Sequence, residues 1–243
     1  MTDCKVSLLG ADYHDKFDPR MYLQLKERYL EVDMEFHRQL HYSCKQGMFK
    51  GERLLELGEG PGISRLIAAT TYFSEIVFSD YTASCREEVR KWIENREDAY
   101  DWSRHFKFVA DLKGNGLVTM IPDPLEPITC DPFDGIIVAS CLEAACPDIA
   151  SFESSVKAVS SILKPGGVVI HWGRLGGNFC KVGDAQFHAL TTTEEIVREA
   201  YKQAGFTMIH SVNVGNGGDD LQHLADAKNY LFIVARKQNV THD

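Results

Sequence analysis

Apolar residues recur along the chain in two patterns, short continuous runs and longer segments with a spacing of three to four residues. The short runs are typical of buried strands, and the spaced segments are typical of amphipathic helices. Because helical segments separate most of the runs, we expect an α/β fold with a doubly wound, seven-stranded, mostly parallel sheet. Residues 113–132 are predicted to be a surface loop, and residues 173–190 an insertion. The predicted strands lie at 53–57, 75–80, 106–111, 133–140, 168–172, 206–214 and 230–235.

The first fifty residues show the helical pattern and no strand pattern. Asp18 and Pro19 predict the start of a helix, and several tyrosines and phenylalanines punctuate the segment. These rings either pack as core or form a lid that covers a bound ligand and excludes water. We therefore expect a single domain over residues 1–243, with a helical N-terminal lid at 1–50 and the α/β core at 51–243.

A glycine-rich turn, Gly58-Glu-Gly-Pro-Gly62, follows the first predicted strand. Its alternating glycines let the backbone turn tightly and approach a ligand without Cβ clashes. A helix predicted at 61–71 would direct its N-terminus at that ligand. The second strand ends in Asp80, at a position where an acid can accept hydrogen bonds from a ribose diol. The turn and the acid together predict a nucleoside-binding site.

Composition and charge argue against several classes of protein. A chain of 243 residues with 44% hydrophobic content can bury a large core. Its formal net charge of −9 is opposite in sign to the basic surface of nucleic-acid-binding proteins. The sequence has no apolar run of about eighteen residues and no apolar leader, so we expect neither a membrane span nor secretion. Its seven cysteines form no Cys-x-x-Cys pair, which predicts reduced thiols in the cytoplasm and no metal site. We also expect a monomer.

A dinucleotide-binding dehydrogenase would show a glycine-rich turn and a downstream acid as well, and it remains an alternative. The glycine spacing here differs from Gly-x-Gly-x-x-Gly, and Glu56 stands within the preceding strand. The pattern Glu-x-Gly-x-Gly-x-Gly resembles the first motif of S-adenosylmethionine-dependent methyltransferases, whose fold is Rossmann-like. The resemblance implies that Asp80 binds the ribose of this cofactor and that Asp111 reads its adenine. The turn Leu163-Lys-Pro-Gly-Gly167 also resembles the one before the fifth strand of these enzymes.

Longer strings resemble one family of animal enzymes, the nicotinamide, phenylethanolamine and indolethylamine N-methyltransferases. The most specific string lies at 141–148, since it is not a general feature of methyltransferases. The strings run almost from end to end: Phe17-Asp-Pro-Arg-Met-Tyr-Leu23, Phe73-Ser-Glu-Ile-Val-Phe-Ser-Asp-Tyr81, Ala99-Tyr-Asp-Trp102, Cys141-Leu-Glu-Ala-Ala-Cys-Pro-Asp148 and Val234-Ala-Arg-Lys237. The resemblance implies contacts to S-adenosyl-L-methionine from Tyr13, Tyr22, Glu56, Gly58, Gly60, Asp80, Tyr81, Cys85, Asp111, Leu112 and Ser140. For Glu56, capping of a neighbouring backbone amide is an equally good interpretation.

The acceptor end is less well defined. The resemblance implies that Glu143 holds a substrate amine and accepts its proton, with a surface acid at a helix start as the alternative. Trp172, Phe179 and Asp226 are further candidates for contact with the acceptor, although core packing and a solvated acid explain them too. Polar residues of the family's acceptor pockets are replaced by small residues here, so nicotinamide is not expected as the acceptor. The replaced positions are Gly173, Gly176, Gly177 and Ala189.

These features predict an S-adenosylmethionine-dependent methyltransferase that acts on a nitrogen of a small-molecule amine by in-line displacement. S-adenosyl-L-homocysteine would be the second product. Two alternatives stay open. The acceptor atom could be a heteroaromatic nitrogen, an oxygen or a sulfur, or the chain could bind the cofactor without turnover.

Overall fold

A seven-stranded sheet forms the centre of the protein, as seen in a computed structural model that describes residues 8–109, 117–120, 131–216 and 223–239. Apolar runs build its inner strands, since parallel strands covered on both faces must be apolar on both. Two further short strands pair as a separate hairpin. The strands are β1 (Arg53–Leu57), β2 (Glu75–Ser79), β3 (Leu117–Met120), β4 (Phe133–Ala139), β5 (Leu163–Leu175), β6 (Phe179–Val182), β7 (Ala185–His188), β8 (Phe206–Gly215) and β9 (Asn229–Lys237).

The strand order in the sheet is β3-β2-β1-β4-β5-β9-β8. Strands β1 to β5 pair in parallel, whereas β9 runs antiparallel to both of its neighbours. The chain proceeds outward from β1 through β2 to β3 and then returns to the other side of β1 with β4 and β5. The strand order therefore reverses between β1 and β4, and ligands of open α/β sheets bind at the carboxyl ends of the strands beside such a reversal. The predicted doubly wound sheet is confirmed.

Helices cover both faces of the sheet and enclose two apolar core layers. One layer contains Phe36 and Leu40 from the N-terminal helical region, and the other contains Phe152 and Val197. In the part of the chain that is described, no helix is long and apolar enough to cross a membrane. The helices are α1 (Tyr13–Lys16), α2 (Pro19–Arg28), α3 (Leu30–Lys45), α4 (Ser64–Ala69), α5 (Ala83–Ile93), α6 (Ser103–Val109), α7 (Leu142–Ala145), α8 (Ile149–Ser161) and α9 (Glu194–Gln203).

The predicted helix start at Asp18 is correct. The Asp18 carboxylate accepts hydrogen bonds from the amides of Arg20 and Met21 and so caps α2, with Pro19 in the first helical position. The predicted helix at 61–71 is present but shorter, because α4 covers only Ser64–Ala69.

The prediction of the third strand at 106–111 is wrong, as is that of an uninterrupted loop at 113–132. Helix α6 spans Ser103–Val109, and the third strand is β3 at Leu117–Met120, which pairs with β2. Trp102, just before the helix, and His105 and Val109 within it are buried, and their spacing of three and four residues is helical rather than alternating. The apolar residues of this segment thus fit a helix better than a strand.

The predicted insertion at 173–190 begins as a continuation of β5 and then forms the separate β6–β7 hairpin. Strand β5 extends to Leu175, beyond its predicted end at Trp172, because β9 pairs with it from Val168 through Leu175. The β6–β7 hairpin then folds back, and Phe187 forms a bridge with Leu8 at the described N-terminus. This places hairpin side chains and N-terminal side chains over the same edge of the sheet.

Candidate functional site

A cavity of about 570 Å³ lies at the carboxyl ends of β1, β2, β4 and β5, where the strand order reverses. Its volume falls within the range of about 300–1,000 Å³ that is usual for small-molecule sites. The strand ends form its floor, and the N-terminal helices and the β6–β7 hairpin form its roof. Most of its surface is apolar, with a few charged side chains at defined points.

The glycine turn forms one wall of the cavity. Gly58 and Gly60 have φ angles of +71° and +76°, which side-chain-bearing residues rarely adopt. A Cβ on Gly58 would also lie 2.6 Å from the Cβ of Cys141. Gly62 does not line the cavity; a Cβ there would lie 2.6 Å from a carboxylate oxygen of Glu59. The first two glycines therefore shape the wall, and the third makes room for a buried acid.

Asp80 is fixed against this turn at the end of β2. Its Oδ2 accepts a hydrogen bond from the Gly60 amide (2.8 Å), and its Oδ1 accepts from the amide and hydroxyl of Thr82 (2.9 and 3.0 Å). Burial raises the pKa of Asp80, and the hydrogen bonds from Thr82 and Gly60 oppose that rise. Asp80 lines the cavity. Since each carboxylate oxygen has two lone pairs, a diol can still bind to it.

Aromatic rings from the N-terminal helices cover the cavity. Tyr13 packs on Phe187 of the hairpin with 4.4 Å between ring centroids, and Phe17 lies 5.2 Å from the ring of Tyr22. All four side chains line the cavity. Tyr81 lines it too, and its ring lies 4.2 Å from that of His14. The predicted contact residues Tyr13, Tyr22 and Tyr81 are thus brought together.

A buried group of four charged side chains, the ion cluster of Lys26, Asp33, Glu59 and Arg65, forms the wall next to the turn. The Lys26 ammonium contacts Glu59 at 2.5 Å and Asp33 at 3.3 Å, and Arg65 pairs with both acids. Burial lowers the pKa of Lys26 to about 8, while Asp33 opposes that change. Two positive and two negative charges here balance one another.

Glu56 lies beneath the cavity wall rather than on it. Its side chain is fully buried in the middle of β1, and neither carboxylate oxygen has a hydrogen-bond partner. Burial raises the pKa of Glu56 to about 8, although the charges of Arg65 and Lys26 partly offset this effect. The direct contact between Glu56 and a cofactor stays a prediction. Glu56 does not cap a backbone amide.

Ser140 ends β4 at the cavity floor. Its φ angle is +54°, and its amide donates to the carbonyl of Trp172 on β5 (2.7 Å). Strained backbone of this kind persists where the surrounding structure fixes it, often at a binding site. The predicted contact residues Ser140 and Cys85 both line the cavity. Asp111 and Leu112, the other two predicted contacts, lie outside the described residues.

The β5 end of the cavity is aromatic and carries one cation. Trp172 is buried and stacks on Tyr230 of β9, with 5.2 Å between centroids and 11° between planes. Arg174 stands two residues further along β5 and also lines the cavity. Its Nη2 donates to the carbonyl of Phe179 (2.6 Å), and its Nε has no hydrogen-bond partner. Cys180 of β6 lines the cavity beside it.

The structure does not place Glu143 on the cavity wall. Glu143 is fully buried in α7, on the opposite face of β5 from Trp172, with Oε1 3.5 Å from Nε2 of His171. A Cβ on Gly173 would collide with both of these side chains, so the small residue there leaves room for the acid. Burial raises the pKa of Glu143 to about 7. The direct contact of Glu143 with a substrate amine stays a prediction.

Phe179 and Asp226 also stay off the cavity wall, and their contacts with the acceptor stay predictions. The Asp226 carboxylate accepts hydrogen bonds from the amides of Asn178 (2.8 Å) and Phe179 (3.1 Å), which fixes the start of the hairpin. The side chain of Phe179 contacts the ammonium of Lys181, at 5.5 Å from ring centroid to Nζ. These residues position the hairpin rather than face the cavity.

Several wall residues escaped the sequence analysis, among them Lys26, Glu59, Arg65 and Arg174. Lys26 follows Tyr22 by one helical turn on α2, so the helical spacing from a predicted contact would have pointed to it. Glu59 stands between the two glycines of the turn, where any side chain lies close to the site. Arg174 follows Trp172 by two residues, a spacing that puts both on one face of a strand.

Comparison with known proteins identifies the family of this site. The sequence model of the NNMT/PNMT/TEMT family matches residues 5–121 and 118–238. The chain belongs to this family. Human nicotinamide N-methyltransferase is 32% identical over 68% of this chain and 69% of its own. Rabbit indolethylamine N-methyltransferase is 29% identical over 94% and 96% of the two chains.

A solved structure has the same fold at low sequence identity. It is the 1,6-didemethyltoxoflavin-N1-methyltransferase of Burkholderia thailandensis with bound 1,6-didemethyltoxoflavin and S-adenosylhomocysteine, with a TM-score of 0.55, 16% identity and 98% coverage of both chains. Family and fold together confirm the predicted family, enzyme class and cofactor. The chain is an S-adenosylmethionine-dependent N-methyltransferase.

Proposed function

We propose that S-adenosylmethionine binds on the β1–β2 side of the cavity and that a small-molecule amine binds on the β5 side. The observation that carries this assignment is the Asp80 carboxylate. It is held to the glycine turn by the Gly60 amide, faces the cavity and keeps free lone pairs for a ribose diol. Tyr81 and Cys85 line the same end of the cavity and would contact the nucleoside.

The ion cluster suits the other end of the cofactor, whose amino-acid tail carries one positive and one negative charge. Lys26 and Arg65 could bind its carboxylate, and Asp33 and Glu59 its ammonium group. All four side chains line the cavity beside the glycine turn. Arg65 Nε has no hydrogen-bond partner, so the cluster keeps one polar donor available for a ligand. Glu56 lies beneath this wall and would influence the site through its electrostatic interaction with Arg65 and Lys26.

When bound, S-adenosylmethionine supplies a methyl group that its positively charged sulfur already activates for in-line attack. The chain must then position the acceptor nitrogen and exclude water. The rings of Tyr13, Phe17 and Tyr22 cover the cavity and exclude water. The walls at Ser140 and Trp172 confine the acceptor. Positioning of this kind can lower a barrier by about 7–11 kcal/mol.

We propose that residues 1–50 form a lid on a single methyltransferase domain that spans residues 1–243. Helix α3 packs on the core through Phe36, whose ring lies 5.9 Å from Trp172 and 5.8 Å from Phe232. This anchor would hold the shorter α1 and the start of α2 over the cavity. The predicted cytoplasmic location is supported by the unpaired thiols of the five described cysteines. The predicted monomer is testable by light scattering.

The amine must be neutral when it attacks, so its proton must leave. Glu143 is separated from the cavity in this structure, and its role as proton acceptor stays a prediction. Loss of the proton to bulk solvent before the amine enters the covered cavity is the simpler route. Trp172 is the predicted acceptor-site residue that does line the cavity.

Titration calorimetry with S-adenosylmethionine and S-adenosylhomocysteine tests the cofactor site. Hydrogen bonds to a charged group contribute about 1.5–3 kcal/mol, so Asp80→Ala should weaken binding by roughly 10- to 100-fold. Glu195→Gln, which removes an exposed acid on α9, is the matched control and should leave the affinity unchanged. Equal affinity of both variants and the wild type would remove Asp80 from the site.

A screen with radiolabelled cofactor tests the acceptor. Amines, pyridines, alcohols and thiols are offered to the wild type, and the product is located by mass spectrometry. We expect label on an amine nitrogen. Label on oxygen or sulfur would overturn the amine assignment, and tight cofactor binding with no labelled acceptor would indicate binding without turnover.

A further inference from the structure

Arg174 is a cation placed in the wall of the acceptor end of the cavity. Its backbone lies in β5, and its side chain points to the same face as that of Trp172. The carbonyl of Phe179 on β6 holds Nη2 at 2.6 Å and so fixes the orientation of the guanidinium. The Cys180 thiol is a second hydrogen-bond partner of the Arg174 side chain, and the two contacts leave further N–H groups of the five that an arginine presents.

The charge of Arg174 has no ion-pair partner among the carboxylates of the described residues. The acids that act on it at longer range are Glu143 and Asp226. Glu143 lies on the other face of the strand beside His171, and Asp226 already accepts two backbone hydrogen bonds. The Nε of Arg174 is buried and has no hydrogen-bond partner. Among the described residues, Arg174 therefore has no carboxylate to balance its largely desolvated charge.

The missing anion does not belong to the proposed cofactor site. Asp80 follows β2, whereas Arg174 lies at the end of β5, three strands away in the order β2-β1-β4-β5. Neighbouring strands are about 4.8 Å apart, which separates the two by roughly 14 Å across the sheet. The charges of Lys26 and Arg65 lie at the turn and can serve the cofactor's own carboxylate.

We propose that Arg174 binds a carboxylate of the methyl acceptor, which is therefore an amine with an aromatic or alkyl body and an acid group. This inference rests on the proposed function and narrows its substrate class. The rings of Trp172, Tyr29 and Tyr230 enclose the aromatic or alkyl part of the acceptor, and the Arg174 guanidinium binds its carboxylate. In the reaction the nitrogen–carbon bond forms, the carbon–sulfur bond breaks and its electron pair stays on sulfur. The amine proton goes to solvent, and the carboxylate is unchanged.

Matched pairs of acceptors that differ in the carboxylate alone test the proposal. Suitable pairs are phenylalanine and phenethylamine, tryptophan and tryptamine, and 4-aminobenzoate and aniline. We expect the wild-type kcat/KM to favour the acid of at least one pair by about 10- to 100-fold, as a charge-assisted bidentate contact would give. If no member of any pair is methylated, competition for the S-adenosylhomocysteine complex, measured by calorimetry, supplies the same comparison. No preference for the acid, or a preference for the member without a carboxylate, in both measurements would overturn the proposal.

Variants separate recognition from a structural role. Arg174→Gln should abolish the preference mainly by raising KM for the acid, whereas Arg174→Lys should keep part of it. Arg198→Gln, which replaces an arginine of α9, is the control. It should change neither the preference for the acid nor the KM for the acid. If Arg174→Gln lowers the turnover of both members equally, the residue only holds the hairpin. If it weakens S-adenosylmethionine binding instead, it belongs to the cofactor site. Either result refutes the inference without touching the cofactor assignment, which the Asp80 titration tests separately.

Discussion

Replacement of Gly58 by alanine should destabilise the protein in two separable ways. The φ angle of +71° is unfavourable for any residue with a Cβ, at about 1–2 kcal/mol. The new Cβ would also lie 2.6 Å from the Cβ of Cys141, well inside van der Waals contact. Overpacking of this kind costs about 1–3 kcal/mol. The sum predicts a loss of roughly 2–5 kcal/mol, or about 4–20 °C in Tm for a chain of this size.

Gly205 provides a matched control. Its φ angle is +83°, but a Cβ there would have nothing within 4 Å. Gly205→Ala should therefore show the backbone part alone, about 1–2 kcal/mol, and leave cofactor binding intact. Gly58→Ala should also weaken cofactor binding, because Gly58 lines the cavity and Gly205 does not.

Thermal and urea unfolding measure the stability of both variants, and calorimetry with S-adenosylmethionine measures their affinity. Cys141→Gly in the Gly58→Ala background removes the colliding Cβ and should recover the steric part, whereas Cys141→Ala keeps that Cβ and should not. A Gly58→Ala variant no less stable than Gly205→Ala would refute the steric reasoning.

Three further perturbations test the buried charges. Lys26→Gln breaks the ion cluster and should cost about 3–5 kcal/mol in urea unfolding, because buried acids lose their partner; an effect as small as that of exposed Lys202→Gln, below about 1 kcal/mol, would contradict this. Glu56 has a pKa of about 8 in the folded protein against an ordinary 4.5, so the fold favours its protonated form. Its contribution to stability should fall by up to about 1.4 kcal/mol per pH unit as the pH rises from about 4.5 to 8, and Glu56→Gln should remove this decline; parallel stability–pH curves would disprove the shift. If Glu143 accepts the amine proton, Glu143→Gln lowers kcat by about 100-fold at unchanged cofactor affinity, and an unchanged kcat removes it from the mechanism.

The cofactor end of the site could be predicted because its chemistry is local in sequence. The turn from Gly58 to Gly60 needs glycines for backbone reasons, and Asp80 follows a strand whose apolar run is unmistakable. A few adjacent residues thus determine both the conformation and the ligand. The residues of the ion cluster are not adjacent in sequence. Asp33 contacts Lys26 from the next helix, and Arg65, which follows the glycine turn, contacts Asp33. Such contacts depend on helix packing, which residue spacing does not encode.

The third strand shows how a short apolar run can mislead. The segment from Phe106 to Asp111 was assigned by its apolar residues alone, whereas the burial of Trp102, His105 and Val109 follows a helix. Extending the window by four residues toward the N-terminus would have revealed the helical spacing. The observed strand at 117–120 has only four residues and follows two glycines, so its own apolar signal is weak.

Arg174 was missed for a different reason, which concerns where a strand is taken to end. The apolar run stops at Trp172, and the glycine that follows suggests a loop. Pairing with β9 nevertheless carries β5 through Leu175, and that pairing joins residues more than fifty positions apart. Because successive side chains of a strand point to opposite faces, the continued strand determines where these residues lie. Gly173 faces Glu143 on one side of β5, and Arg174 faces the cavity with Trp172 on the other. The residue expected to decide the acceptor is thus exposed to the ligand by a long-range backbone pairing, and a variant that disrupts the β5–β9 register should lose acceptor selectivity before cofactor affinity.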